Sequence, residues 1–188
     1  MNLNLTWGPF TIRQAVLSDG RAVKNLMTSS LEHKGIHTEE YHREYSDLDL
    51  EDVVRAYEGS NGAFLVAELG DKLVGSLGFF TVDGMFAQLR RFHVHPDFRG
   101  MGIERALLEY TFFFCVSKGF TGIITVTEVE VKRAFKMYSA AGFKVFESAG
   151  IGYMAKFFAG EKEGLLFSGI AEKNWIFDFD RQKWKERK

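Results

Sequence analysis

The stretch Ala87-Gln88-Leu89-Arg90-Arg91-Phe92-His93-Val94-His95-Pro96-Asp97-Phe98-Arg99-Gly100-Met101-Gly102-Ile103-Glu104 decides how the rest of the chain is read. Leu89 and the Phe92–Val94 segment give its first half the apolar surface of a strand. Pro96 ends that strand, because it brings no N–H to a ladder. Arg99-Gly100-Met101-Gly102 then turns the chain. Directly after it, Ile103, Ala106, Leu107, Tyr110, Phe113 and Phe114 recur at three- and four-residue steps, which predicts a helix with those residues on one face. A strand, a glycine turn and a helix start make an anion site. The first helical N–H groups have no partner within the helix, and the dipole adds partial positive charge. Glycines let backbone approach a phosphate with no Cβ in the way.

Two widespread versions of that arrangement do not fit. A dinucleotide fold needs a third glycine where Arg105 stands, and a P-loop needs Gly-Lys-Ser/Thr, which is absent. What remains, Arg99-Gly100-Met101-Gly102-Ile103-Glu104, resembles the pyrophosphate loop of the GNAT superfamily of acyl-CoA N-acyltransferases, Arg/Gln-x-x-Gly-x-Gly/Ala. The flanking run from Leu89 to Gly100 resembles that superfamily's strand and loop. Ala134-Phe135-Lys136-Met137-Tyr138-Ser139-Ala140-Ala141-Gly142-Phe143 resembles its later Ala-x-x-x-Tyr-x-x-x-Gly-Phe helix. Two motifs in the right order carry far more weight than either alone. The resemblance implies an α/β (α+β) fold: a single GNAT-like domain over residues 1–158, with a mixed central sheet flanked by helices. Asp49-Leu50 through Ala67 also resembles the N-terminal half of a common bacterial branch. Residues 159–188 match nothing in that pattern and form a C-terminal extension.

Composition narrows the classes. At 188 residues the chain is long enough for a substantial core, and one domain is expected. A formal net charge of −1 gives no reason to expect nucleic acid, whose binding needs clustered Lys and Arg. Cys115 is the only cysteine, so no internal disulfide can form; within its helix it reads as a small core residue. No apolar run approaches the roughly 20 residues that span a bilayer. The start lacks a basic region followed by an apolar core, so no signal peptide is read. These points predict a cytoplasmic protein without a membrane partner.

Along the chain, Phe10–Ala15 alternates and reads as a strand. Ser18 or Asp19 is placed to cap a helix with Ala22, Val23, Leu26 and Met27 on one face. His33, His37 and His42 lie in a polar stretch, but no cysteine or His-Glu-x-x-His spacing joins them, so no metal is expected. In the family this region forms one wall of the acceptor site. Asp49-Leu50-Glu51-Asp52 opens a second helix, with acidic residues suited to its N-terminus. Phe64–Glu68 and Lys72–Phe80 read as strands around a Gly70-Asp71 hairpin turn, and a turn near Asp83-Gly84 leads into the opening stretch. Lys118-Gly119 closes the long helix. Gly122–Thr127 is a strand, Gly142 ends the last helix, and Phe143–Phe146 and Tyr153–Phe157 form a final strand pair. Leu165-Leu166-Phe167 and Trp175-Ile176-Phe177 are too apolar for a disordered tail. They are expected to pack on the core or on a second subunit, which would make a homodimer.

The resemblance implies transfer of an acyl group, usually acetyl, from acetyl-CoA to an amine of a small molecule or of an exposed lysine or N-terminus. It places the cofactor on the backbone of Phe92, His93 and Val94 and on the loop Arg99, Gly100, Met101, Gly102, Ile103 and Glu104. Glu104 departs from the Gly or Ala of the family; beside phosphates, a carboxylate must point away or pair, with Arg99 or Arg105 as candidates. Tyr138 matches the family tyrosine, which implies that it protonates the leaving thiolate. Its place on an apolar stripe with Val131, Ala134 and Phe135 suits packing equally. Gln88 stands where some relatives carry Glu, and an amide cannot act as a base. His93, His95, Glu128, Glu130 or a water chain stay open for that role. The alternative is a degenerate domain that binds acyl-CoA as a sensor or assembly module.

Overall fold

The computed structural model describes residues 4–33, 35, 48–82, 86–128, 132–148, 151–158, 175–178 and 183–186. For 127–128, 146–148, 151–153 and the last two segments only the backbone is described. Eight strands form one sheet: β1 (Leu5–Trp7), β2 (Phe10–Gln14), β3 (Ala63–Leu69), β4 (Lys72–Thr81), β5 (Phe86–Val94), β6 (Gly122–Glu128), β7 (Lys144–Ser148) and β8 (Ile151–Phe157), in the order β1-β2-β3-β4-β5-β6-β8-β7. Neighbours run antiparallel except β5 and β6, which are parallel. A parallel pair needs a crossover. The long helix supplies it.

Helices α1 (Gly20–Glu32) and α2 (Val53–Glu58) cover one face of the sheet. Helices α3 (Ile103–Ser117) and α4 (Lys132–Ala140) cover the other. Strand alternation sorts the core accordingly. Leu65, Leu77, Phe79, Ala87, Leu89 and Ile123 pack under α3. Phe64, Val66 and Phe80 meet Val23 and Met27 of α1 and Val53 and Tyr57 of α2. Gly75 lets α3 settle onto β4: a Cβ there would come within 2.9 Å of Ile103 Cγ2. This close approach holds the start of α3 against the central strands.

Most elements lie where the sequence puts them, including the Gly70-Asp71 hairpin turn between Leu69 and Lys72. Four features differ. β1 was not legible, because three residues are too few to show alternation. Phe113 is not on the buried face of α3; it is 62% exposed, and Leu108, Thr111 and Cys115 take up that face with Tyr110 and Phe114. Asp52, not Asp49, caps α2, accepting the Arg55 N–H at 2.9 Å. Asp49 belongs to a separate 3-10 turn, Leu48–Leu50, and is buried. Asp19 sits at the start of α1 without capping it, and accepts instead the Val16 N–H at 2.7 Å and the Arg13 guanidinium. The Asp83-Gly84 turn, His37, His42, Glu130, Val131 and Leu165–Phe167 fall outside the described residues. Within the extension, β9 (Trp175–Asp178) and β10 (Lys183–Glu186) pair antiparallel, and β9 lies against the turn Leu48–Leu50.

Candidate active site

The site begins where two strands part. The parallel ladder between β5 and β6 runs Phe86↔Gly122, Ala87↔Ile123, Gln88↔Ile124 and ends there, although β5 continues to Val94 and β6 to Glu128. A seam therefore opens in the sheet, with Leu89–Val94 on one side and Thr125–Glu128 on the other. The glycine turn and the start of α3 follow the last residues of β5 through the 3-10 turn Pro96–Phe98.

Gly100 and Gly102 both have left-handed backbone, with φ of 79 and 86. That conformation favours glycine, which accounts for the spacing of the motif. Gly102 precedes α3 directly, and its carbonyl accepts the first helical bond from the Ala106 N–H at 3.0 Å. A Cβ at Gly102 would come to 3.2 Å from Trp7 Nε1, so β1 brings an indole up to this loop. Met101 is half exposed at the tip, and Ile103 is buried in the core, which pins the first turn of the helix.

Arg99 is held rather than loose. Its Nε–H donates to the Val94 carbonyl at 3.3 Å, and Nη2 donates to Ser30 Oγ of α1 at 3.1 Å. Burial lowers its pKa, and the charge of Arg133 lowers it further, while Glu104 acts the other way. Arg133, from α4, thus stands near Arg99 at the mouth of the glycine turn. It also answers the problem of Glu104. Arg133 Nη2 donates to Glu104 Oε1 at 2.9 Å, whereas Arg105 pairs with Glu109 at 2.7 Å. The partner of Glu104 comes from another helix and was not among those the sequence suggested.

Tyr138 lies on the seam from below. It is buried, its ring edge-on to Phe92 at 6.1 Å and to Phe143 at 5.0 Å. Burial pushes its pKa up to about 12, and a hydrogen bond with Thr125 draws it partly back. Thr125 is the first residue of β6 beyond the ladder, so the phenol is anchored on the strand opposite Phe92. On the other face of β5, Gln88 is buried at the last ladder pair, and its Oε1 finds no hydrogen-bond partner among the described residues.

A model of the Acetyltransferase (GNAT) family matches residues 27–143. The chain belongs to that family. This GNAT domain is also 32% identical over 101 residues to N-acetyltransferase family 8 member 2 of Rattus norvegicus, a match covering 51% of this chain and 45% of that protein. It is 31% identical over 102 residues to N-acetyltransferase 8B of Homo sapiens, with the same coverage. The match thus spans a little under half the length of these curated relatives. Among solved structures, the GNAT domain is similar to the PaiA N-acetyltransferase of Thermoplasma acidophilum in complex with coenzyme A, with TM-score 0.70 and 23% identity over 79% of this chain and 99% of that one. It is similar too to an acetyltransferase of Streptococcus agalactiae, with TM-score 0.68 and 21% identity over 81% of this chain and all of the other.

Of the candidates for a base in this GNAT domain, His95 caps the turn Pro96–Phe98: its Nδ1 accepts the Asp97 N–H at 3.3 Å and its ring packs on Phe98. His93 pairs with Ser76 across the sheet. Glu128 ends β6, with only its backbone described, and Glu130 lies outside the described residues. No cluster of His, Cys, Asp and Glu suited to a metal occurs among the described residues. Cys115 is buried in the α3 core, and burial raises its thiol pKa. No described helix is long and apolar enough to cross a membrane. Sequence reasoning missed Ser30, Thr125 and Arg133. Each is an ordinary polar residue on a helix or strand and acquires a role only through a partner far along the chain.

Proposed function

We propose that this chain is an acetyl-CoA-dependent N-acetyltransferase acting on a primary amine of a small molecule, an exposed lysine or an N-terminus, by direct attack. The observation that carries the reading is the coincidence of three things in one place: the left-handed glycine pair before α3, the end of the β5–β6 ladder, and the Tyr138 hydroxyl on its far wall. The residues fit the cofactor. Gly100, Met101, Gly102, Ile103 and Glu104 would offer the backbone of the first helical turn to the pyrophosphate, and Arg99 its guanidinium. Glu104 is compatible because Arg133 offsets its charge. Phe92, His93 and Val94 would line the arm on the open side of β5. Bound acetyl-CoA supplies an activated thioester.

The chain's own residues then hold and move protons. Tyr138 keeps its proton at neutral pH and would release it toward the departing sulfur. Gln88 offers an acceptor oxygen, and we assign it the orientation of an amine N–H rather than its removal. Calorimetric titration with CoA and acetyl-CoA, followed by thiol release over a panel of amines, tests the reading. Binding with turnover is expected; no CoA binding overturns it. The Gln88 amide also favours a second reading, an acyl-CoA-binding domain without catalysis. Binding with no turnover on any amine would select that one. A cytoplasmic setting fits either reading.

A further inference from the structure

Successive residues of a strand point to opposite faces. Arg91 breaks that rule: it stands two residues after Leu89, which packs under α3, yet its side chain reaches Asp49 and Met27 of α1 on the opposite side of the sheet. The cause is a bulge. Ser76 pairs with His93 and Gly78 with Arg90, so Arg91 and Phe92 together face the single residue Leu77. Arg91 takes left-handed backbone, φ 54, in the middle of a central strand. Glycine usually fills that place, and a long side chain there is uncommon.

Several contacts impose it. The Ser76 hydroxyl donates to the Arg91 carbonyl at 2.8 Å. Arg91 Nη2 and Nε donate to the two oxygens of Asp49 at 2.7 and 3.1 Å, and the Tyr57 hydroxyl donates to Asp49 Oδ2 at 2.7 Å. The side chains of Arg91 and Asp49 are 3% and 2% exposed. Beyond the bulge the alternation is reset. Phe92 therefore turns to Tyr138, and Val94 enters the core under α3. Without the bulge, Phe92 would face α1 and α2 instead.

We infer that the buried Asp49–Arg91 pair is a positioning device for the reaction centre: it holds the bulge that aims the Phe92–Val94 backbone at the seam, and it ties that backbone to the turn Leu48–Leu50. Stability alone does not explain the pair, since apolar residues of similar volume commonly replace a buried ion pair without loss. A strained residue locked by its surroundings next to a site is where such a constraint does functional work. The turn Leu48–Leu50 also meets β9, so the pair couples the extension's side of the molecule to β5. The inference rests on the acetyltransferase reading for what happens at the seam; the geometry stands apart from it.

The test is the double variant Asp49→Leu/Arg91→Met, which removes both charges and keeps the volume. Because the buried Tyr57 hydroxyl also loses its carboxylate acceptor, melting lowered by no more than about 10 °C is expected. In the ligand-free protein the amide NMR signals of Phe92–Val94 should move. With acetyl-CoA and a turned-over amine, kcat should fall by about tenfold or more and CoA affinity by less than that, because the arm's backbone partners move while the glycine loop is untouched. A folded double variant with parent-like Phe92–Val94 amides, or with kcat within about twofold, overturns the inference. If the double variant does not fold, Arg91→Lys decides. It keeps the charge without the two-pronged bond, so shifted amides with reduced kcat support the inference and parent-like values overturn it. A parent that neither binds CoA nor turns over would sink the acetyltransferase reading, while the ligand-free amide signals would still judge the bulge.

Discussion

The surroundings of the Tyr138 hydroxyl keep it protonated across the neutral range, since burial pushes its pKa up to about 12. Tyr138→Phe keeps the ring contacts with Phe92 and Phe143 and removes only the proton. We expect kcat to fall roughly tenfold or more, with melting and CoA affinity little changed. An unchanged kcat, with chemistry shown to limit the rate, would leave Tyr138 as packing. Asp49 carries a prediction about stability. Burial raises its pKa, but the charge and hydrogen bonds of Arg91, the charge of Arg90 and the Tyr57 hydrogen bond together lower it by more, so the folded-state value lies below the ordinary one. A group depressed in this way stabilises the fold above its unfolded pKa, about 4, and the gain is lost as pH falls through the folded value. Urea unfolding from about pH 6 to about pH 3 should therefore show an acid-side loss of stability that Asp49→Asn lessens. An identical acid limb in the variant would refute the assignment.

At the scale of elements, the glycine turn and α4 meet across the Glu104–Arg133 pair. Gly102→Asp would force a Cβ and a charge into left-handed backbone beside Trp7. We expect calorimetry to show CoA binding lost in a variant that still melts cooperatively; parent-like affinity would put the site elsewhere. Arg133→Ala should weaken CoA binding by roughly fivefold, because Glu104 is then left uncompensated beside the phosphates. Adding Glu104→Ala should recover part of that loss. Affinities that simply add would mean the two side chains do not act on the ligand together. The elements themselves were largely readable. The period of α3, the glycines that begin and end it and the stop at Pro96 are all signals within a few residues of each other. Phe113 was misjudged because a long apolar run contains more hydrophobic positions than one helix face can bury.

For the whole molecule, we propose that the extension after residue 158 caps the core or contacts a second copy; its described strands β9 and β10 pair with each other, and β9 lies beside the turn Leu48–Leu50. Truncation at Ala159 should lower the melting temperature or change the mass in sedimentation, and a shortened chain unchanged in both would end that idea. By itself the sequence determined the strand, glycine turn and helix around Arg99–Glu104, the family, the order of most elements and the place of Tyr138. Those features rest on periodicity, turn chemistry and motif spacing, which are local. Only the tertiary structure decided that Arg133 pairs with Glu104, that Thr125 holds Tyr138, that Gln88 lies buried where the β5–β6 ladder ends, and that Asp49 meets Arg91. The reason is physical. Each of those contacts joins separate elements, and its partner is chosen by how helices and strands pack. The bulge at Arg91 is the sharpest case: nothing in Leu89-Arg90-Arg91-Phe92 announces a left-handed residue, because Ser76 and Asp49 impose it from other elements.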